Sequence, residues 1–256
     1  MITWQYEGKG HTYAVSDLHG KLDMYKQIVA FLKPEDRVIC LGDCGDRGPN
    51  CWETLKSVCE NPQFFLLKGN HEDMLVEALK DRFMYPAFPY DQAYHLLVYN
   101  GGKPTYDEFL SSNTPEEQKK WLKKLDDLPD RMVYINKDGT EVILTHSGYA
   151  PMVGDIPRDV IWNRRHFNTK WPKAKEFENV VLVHGHTPIE IQIADFMYQK
   201  SKWSTGAYWY CHDHKVNIDC GTVWNDQTVL LDLDTWDEHV FLGPEFKGEI
   251  DGEVEN

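Results

Sequence analysis

Four short segments concentrate side chains that ligate metals or grip phosphate: Asp17-Leu18-His19, Gly42-Asp43-Cys44-Gly45-Asp46-Arg47-Gly48, Gly69-Asn70-His71-Glu72 and His184-Gly185-His186. Each follows an apolar run that reads as a strand, and His146 in Thr145-His146-Ser147-Gly148 adds one more donor. Carboxylate, imidazole and amide donors with no thiolate among them favour Mn, Fe or Zn over a soft-metal site. Asp17 and His19 lie one residue apart, so from an extended strand end they are expected to project together and share one ion. Asp43 has two oxygens with which to bridge to a second ion, whose other ligands would be Asn70, His146 and His186. Two divalent ions polarise phosphoryl oxygens and make hydroxide available near neutral pH, so water is the expected nucleophile.

His71, beside a ligand yet free for other work, is the expected general acid for the leaving oxygen, with Asp46 orienting its ring. Arg47 offers a planar fork that fits two phosphoryl oxygens. Arg164, in Ile161-Trp162-Asn163-Arg164-Arg165, is expected to supply the opposing contact, with Arg165 as its substitute. Together these residues point to a metal-assisted phosphoester hydrolase.

The elements that must position them alternate through the first third. Residues 13–16 read as a strand, and Leu22, Tyr25, Ile28, Val29 and Leu32 then recur at helical spacing. Strands are expected at 37–41 and 64–67, and helices at 52–58 and 72–79. Such a βαβαβα series implies a mainly parallel, right-handed α/β arrangement with its site beyond the carboxyl ends of the strands. Residues 82–130 differ, with Pro86, Pro89, an Asn100-Gly101-Gly102 turn and a charged helix over 115–125. They are expected to form a helical cap or insertion that shapes access, with Phe83, Tyr85, Phe88, Tyr90 and Tyr94 as its core. Strands return at 142–145, 180–183, 216–219 and 228–233. The last two, flanking Gly221, read as a hairpin in a second sheet packed on the first. The expected organisation is one domain over 1–256 with a frayed acidic tail at 244–256.

Length and composition bound the function. A chain of 256 residues can bury a sizeable core without disulfide or metal staples. A formal charge of −14 argues against a nucleic-acid backbone as the main partner, which needs clustered Lys and Arg. No apolar stretch approaches the ~20 residues a membrane span requires, and the first residues lack a basic-then-apolar leader, so a cytoplasmic protein is expected. The six cysteines have neither Cys-x-x-Cys nor zinc-ribbon spacing. Cys40 and Cys44 are read as packing residues, and His11, His95, His166, His212, His214 and His239 as solvated or core histidines.

The ordered motifs Asp17-x-His19-Gly20, Gly42-Asp43-x-x-Asp46-Arg47-Gly48, Gly69-Asn70-His71-Glu72, Thr145-His146-Ser147-Gly148 and Gly185-His186-Thr187 resemble a known signature. It is that of the serine/threonine phosphoprotein phosphatases, within the calcineurin-like metallophosphoesterase superfamily, in their short bacteriophage lambda-type and bacterial form. Asn100-Gly101-Gly102, Trp162-Asn163-Arg164 and Ile218-Asp219-Cys220-Gly221 extend the resemblance over nearly the whole chain. It implies an α/β/β/α sandwich, two mixed sheets flanked by helices, with a dinuclear centre usually served by manganese. It further implies Asp17, His19 and Asp43 on one ion, Asp43, Asn70, His146 and His186 on the other, an acid pair of His71 and Asp46, and a phosphate clamp of Arg47 and Arg164.

Two departures stand out. Gly45 replaces a common Val, and Pro188 follows Thr187 where many phosphodiesterases of the superfamily carry a second His ligand. The implied substrates are phosphoserine or phosphothreonine in proteins, and small phosphomonoesters. Symmetrical diadenosine tetraphosphate hydrolases are the nearest rivals, but they typically lack the acid at Asp46. A nucleic-acid end-healing phosphatase or phosphodiesterase is disfavoured by charge. An inert phosphatase-like binding module would need a broken ligand or acid, and none is broken.

Overall fold

A computed structural model describes residues 2–84, 92–149, 159–196 and 205–246. The first third runs β1 (Ile2–Gln5), β2 (Thr12–Val15), α1 (Leu22–Phe31), β3 (Arg37–Cys40), α2 (Cys51–Glu60), β4 (Phe64–Leu66) and α3 (Asn70–Met84). Helices α4 (Gln92–Tyr99), α5 (Lys103–Ser112) and α6 (Pro115–Asp126) follow, then β5 (Arg131–Ile135), β6 (Glu141–Thr145), α7 (Asp159–Trp162) and β7 (Val180–His184). The chain continues through α8 (Ile189–Ile191), β8 (Tyr208–Tyr210), β9 (Lys215–Asn217), α9 (Thr222–Asn225), β10 (Gln227–Asp232) and β11 (Glu238–Leu242).

These strands form a five-stranded sheet, β11-β10-β2-β3-β4, and a six-stranded sheet, β1-β5-β6-β7-β9-β8. Both mix parallel and antiparallel pairs, with β2, β3 and β4 parallel as the crossover pattern requires. The period-two alternation of strand side chains builds the layers. Ala14 and Ile39 face Tyr134, Val142, Leu144 and Val216 between the sheets. Their neighbours Tyr13, Val15, Val38 and Cys40 face the opposite way, onto Met24, Ile28, Trp52, Leu55 and Met74 of the helices. On the outer face of the six-stranded sheet, Val133, Ile143 and Leu182 pack with Trp171. Strands covered on both faces read as unbroken apolar runs, hence the clarity of β2 and β3 in the sequence.

The residues after Gly221 depart from the expected hairpin. β9 pairs with β7 and β8, whereas β10 pairs with β2 and β11 in the other sheet. Val216 and Ile218 reach the inter-sheet core from one side, Val229 and Leu231 from the other. Alternation in the sequence reports that burial and not the pairing partner. Left-handed Gly221 (φ 66°) starts the short α9 that carries the chain between sheets.

The helices after α3 are woven into the helical layer: Leu97, Tyr106, Phe109 and Leu125 share one core with Trp52 and Met74. Thr114 and Glu117 form a capping box that starts α6. Of the aromatic residues expected in this core, Phe83 and Tyr94 pack against it, while Tyr85, Phe88 and Tyr90 lie outside the described residues, as does the tail from residue 247 onward. The start of that tail is tied down, since Asp226 Oδ2 accepts from Glu245 N at 2.6 Å.

Candidate functional site

The loops after β2 and β3 are laced together by backbone bonds from Asp17 N to Gly42 O (3.1 Å), His19 N to Asp43 O (2.9 Å) and Gly20 N to Cys44 O (2.8 Å). Gly185 N bonds His146 O at 2.8 Å in the same way across the six-stranded sheet. Asp17, His19, Asp43, Asp46, Arg47 and His186 all hold left-handed φ between 41° and 70°. Asp17 and His19 therefore converge through a strained loop, not through the alternation of an extended strand. Non-glycine residues persist in this region only where their surroundings hold them there, commonly at functional sites.

Asp17, His19, Asp43, Asn70, His71, His146 and His186 meet in one place. Asp43 Oδ2 stands 3.2 Å from His146 Nε2 and 3.8 Å from both His19 Nε2 and His71 Nε2. Asn70 Oδ1 lies 2.9 Å from His146 Nε2 and 2.8 Å from His186 Nδ1. Asp17 sits slightly apart, with Oδ1 3.9 Å from His19 Nε2 and Oδ2 accepting from Ser16 Oγ and from His186 N at 2.9 Å. Two sets of donor atoms each fall within 4.8 Å of one another: His19 with Asp43 and His71, and Asp43 with His146 and His186.

The outer nitrogen of each imidazole is already engaged. His19 Nδ1 donates to Gly45 O at 2.9 Å, His146 Nδ1 to Leu41 O at 3.0 Å and His186 Nε2 to Trp162 O at 3.2 Å. His71 Nδ1 donates to Asp46 Oδ2 at 2.5 Å. With the outer nitrogen donating, the inner nitrogens of His19, His146 and His186 face the cluster, the orientation that metal ligation requires. Burial holds His19 and His186 well below the ordinary imidazole pKa. His146 and His71 feel the same burial, but Asp43 outweighs it: His146 is pushed up to about 9, and His71, helped by Asp46, is also raised. Asp43 is itself buried, yet the neighbouring imidazoles hold its carboxyl well below the usual range. This donor set fits two divalent cations joined at Asp43.

Arg47 Nη1 donates to His19 Nε2 at 2.5 Å and Nη2 to His71 Nε2 at 2.7 Å, so the guanidinium lies against the donor cluster. Arg164 turns toward the site, with Nε donating to Thr187 Oγ1 at 2.6 Å. Arg165 instead faces Asp159 in an exposed pair at 3.3 Å. Cys44 packs against Cys40, with Sγ atoms 3.3 Å apart, and burial pushes its thiol up, as suits a packing residue. His214 likewise packs, stacked on Trp171 with ring centroids 5.2 Å apart.

Three supports escaped the sequence reading. Glu72 accepts from Asp43 N (2.8 Å), Cys44 N (2.9 Å) and Gly69 N (3.0 Å), which pins two strand ends to one buried carboxylate. Thr105 Oγ1 donates to Asp46 Oδ1 and accepts from Asp46 N at 2.9 Å. Gly102 passes so close that a Cβ would stand 2.8 Å from Asp46 Oδ2. The Asn100-Gly101-Gly102 turn was the available signal, since paired glycines mark a close backbone approach. A Cβ on Gly45 would stand 3.3 Å from both Thr105 Oγ1 and Cγ2, so Thr105 takes the room that a larger residue at 45 would need.

A family model described as calcineurin-like phosphoesterase matches residues 10–218. No curated protein sequence matches the chain. Solved structures match by fold. One is a candidate diadenosine tetraphosphatase, 14% identical, covering 95% of this chain and 99% of its own, with a TM-score of 0.57. Another is a protein serine/threonine phosphatase from Saccharomyces cerevisiae, 12% identical, covering 97% and 86%, with a TM-score of 0.59. A third is a cold-active protein-tyrosine phosphatase of a psychrophilic Shewanella, 16% identical, covering 94% and 80%, with a TM-score of 0.54.

Proposed function

The chain belongs to the calcineurin-like phosphoesterases, and we propose that within that family it is a phosphomonoesterase acting on phosphoserine and phosphothreonine in proteins. The observation that carries this reading is the Asp46–His71 pair, 2.5 Å apart and buried beside Asp43 and Arg47. Burial alone would lower the pKa of His71, but Asp43 and Asp46 raise it above the ordinary value, the direction that a general acid needs. A serine or threonine alkoxide is a poor leaving group and needs such an acid. The nucleoside diphosphate released by symmetrical cleavage of a dinucleoside tetraphosphate is a better leaving group and needs such an acid less.

In this reading Asp17, His19 and Asp43 hold one divalent ion and Asp43, Asn70, His146 and His186 the other, with manganese as the expected metal. When bound, the ions supply Lewis-acid charge at the phosphoryl oxygens and draw a nucleophile from water. Arg47 swings its fork onto the phosphoryl group, Arg164 holds it from the other side, and His71 gives its proton to the departing oxygen while Asp46 keeps the ring in register. Thr105 holds Asp46 in turn. Among the described residues no helix is long and apolar enough to cross a membrane. The six cysteines are all unpaired thiols, which supports a reducing, cytoplasmic setting.

Steady-state assays with Mn²⁺ test the reading. His71→Ala is expected to lower kcat on a phosphoserine peptide by about 10²–10⁴-fold, to lose less on p-nitrophenyl phosphate, and to keep both ions. Wild-type protein inert on both substrates would sink the proposal, and loss of an ion in the variant would make His71 a ligand. The fold shared with a candidate diadenosine tetraphosphatase favours a second reading. Faster turnover of diadenosine tetraphosphate than of phosphopeptide would establish it.

A further inference from the structure

The turn after β9 carries an aromatic side chain that the core does not use. Among the described residues Trp224 in α9 is 61% exposed, yet its backbone is braced. Trp224 N donates to Gly221 O at 2.8 Å and Asn225 N to the same oxygen at 2.9 Å. Asn225 Nδ2 bonds Cys220 O at 2.8 Å. The next residue, Asp226, is paired with Lys21 and accepts from Glu245 N at 2.6 Å. The indole is thus presented to solvent from a turn whose backbone is braced.

Its position says what it would recognise. The guanidinium carbon of Arg47 stands 5.4 Å from the indole centroid. Arg47 also lines, with Lys21, Gly48, Asn50 and Val223, a cleft of about 450 Å³. The guanidinium lies over one face of the indole, so a ring esterified to a phosphate held by Arg47 would have to stack on the part of the indole left open. Aromatic pairs attract at centroid separations of about 4.5–7 Å. An ethyl or seryl group in the same place offers no such face.

We propose that Trp224 is a stacking platform for an aromatic ring esterified to the phosphate, which makes aryl phosphomonoesters, the phosphotyrosine side chain among them, a favoured substrate class. This rests on the phosphomonoesterase reading above and extends its substrate range. Two substrates separate it from a role in which the indole merely steadies Arg47. The ratio of kcat/KM for phenyl phosphate to that for ethyl phosphate is measured in the Mn²⁺-loaded wild type, Trp224→Phe and Trp224→Leu. The Ki ratio of phenylphosphonate to methylphosphonate gives a second readout that involves no turnover. Trp224→Phe is expected to keep both preferences and Trp224→Leu to lose about tenfold of each. A parallel fall on both substrates in Trp224→Leu, or an unmoved ratio, overturns the platform. Wild-type protein inactive on both esters would instead overturn the phosphomonoesterase reading.

Discussion

Behind Asp43 and Asn70 the five-stranded side of the site buries a carboxylate, Glu72; behind His146 and His186 the six-stranded side buries His184, His166 and Lys215. Glu72 is pushed up to about 7 by burial and by Asp43, while it takes three backbone N–H groups. Across the site, burial pushes His184 down to about 3 and Lys215 down to about 8. One half is an acid interior that aims backbone donors, and the other is a basic interior kept close to neutral. The contrast separates two tasks. On the proposed reading, the acid side would supply charge for cations and, through His71, a proton. The basic side would supply His186, whose burial-lowered basicity favours a metal ion over a proton, and His146, which Asp43 raises instead.

Asp43 is the group that both halves touch, so its removal should have the largest effect. Asp43→Asn keeps the shape and loses the charge. Its activity is expected to fall by more than the roughly 10–100-fold typical of outer partners of a metal site, with fewer than two ions per chain by metal analysis. Two tightly held ions in that variant would break the idea that the halves join there.

Glu72→Gln sharpens the comparison on the acid side. The amide turns an NH₂ toward backbone donors that a carboxylate satisfied, which should cost about 1–3 kcal/mol in denaturant unfolding. An unchanged midpoint would show that those N–H groups do not depend on Glu72.

Lys215 tests the basic side with the smallest effect. Its ammonium donates to His166 O at 2.5 Å and Thr169 O at 2.8 Å, inside the six-stranded half. Its folded pKa, about 8, lies below the ordinary 10.5, so the folded state prefers the neutral amine. The resulting penalty is fully present below pH 8 and is relieved as pH rises toward 10.5. Wild type should therefore gain stability on Lys215→Met between pH 8 and 10, by at most ~1.4 kcal/mol per pH unit. A difference that stays flat across that range would show the amine titrating normally.

The acid half was the more legible in the sequence. Asp43, Asp46 and Arg47 sit in one contiguous motif, Asn70, His71 and Glu72 in another, and both follow strands that their own apolar runs announce. What escaped was brought from elsewhere by tertiary contact: Thr105 reaches Asp46 across 59 residues, with no local pattern to mark it. Glu72 was visible as a residue, yet its role was hidden, because a first-turn glutamate ordinarily complements the helix dipole. Asp17 and His19 do converge as expected, but through left-handed backbone, which follows from packing and not from periodicity. On the basic side His146 and His186 were legible from their motifs. The sheet assignments of β9 and β10 were not, since an apolar alternation fits either side of a shared core.

The pairing of β2 with β10 also sets a clock for synthesis. Ala14 faces Leu231 across the ladder, and Thr12 N donates to Asp234 Oδ2, 222 residues further along. Until those late residues leave the ribosome, one edge of β2 has no partner. At ordinary elongation speeds that wait lasts on the order of ten to forty seconds. During it, the strand that leads into Asp17 and His19 offers unpaired backbone to any neighbouring chain. Shielding of the nascent chain therefore bears on the yield of active protein as directly as any residue in the site.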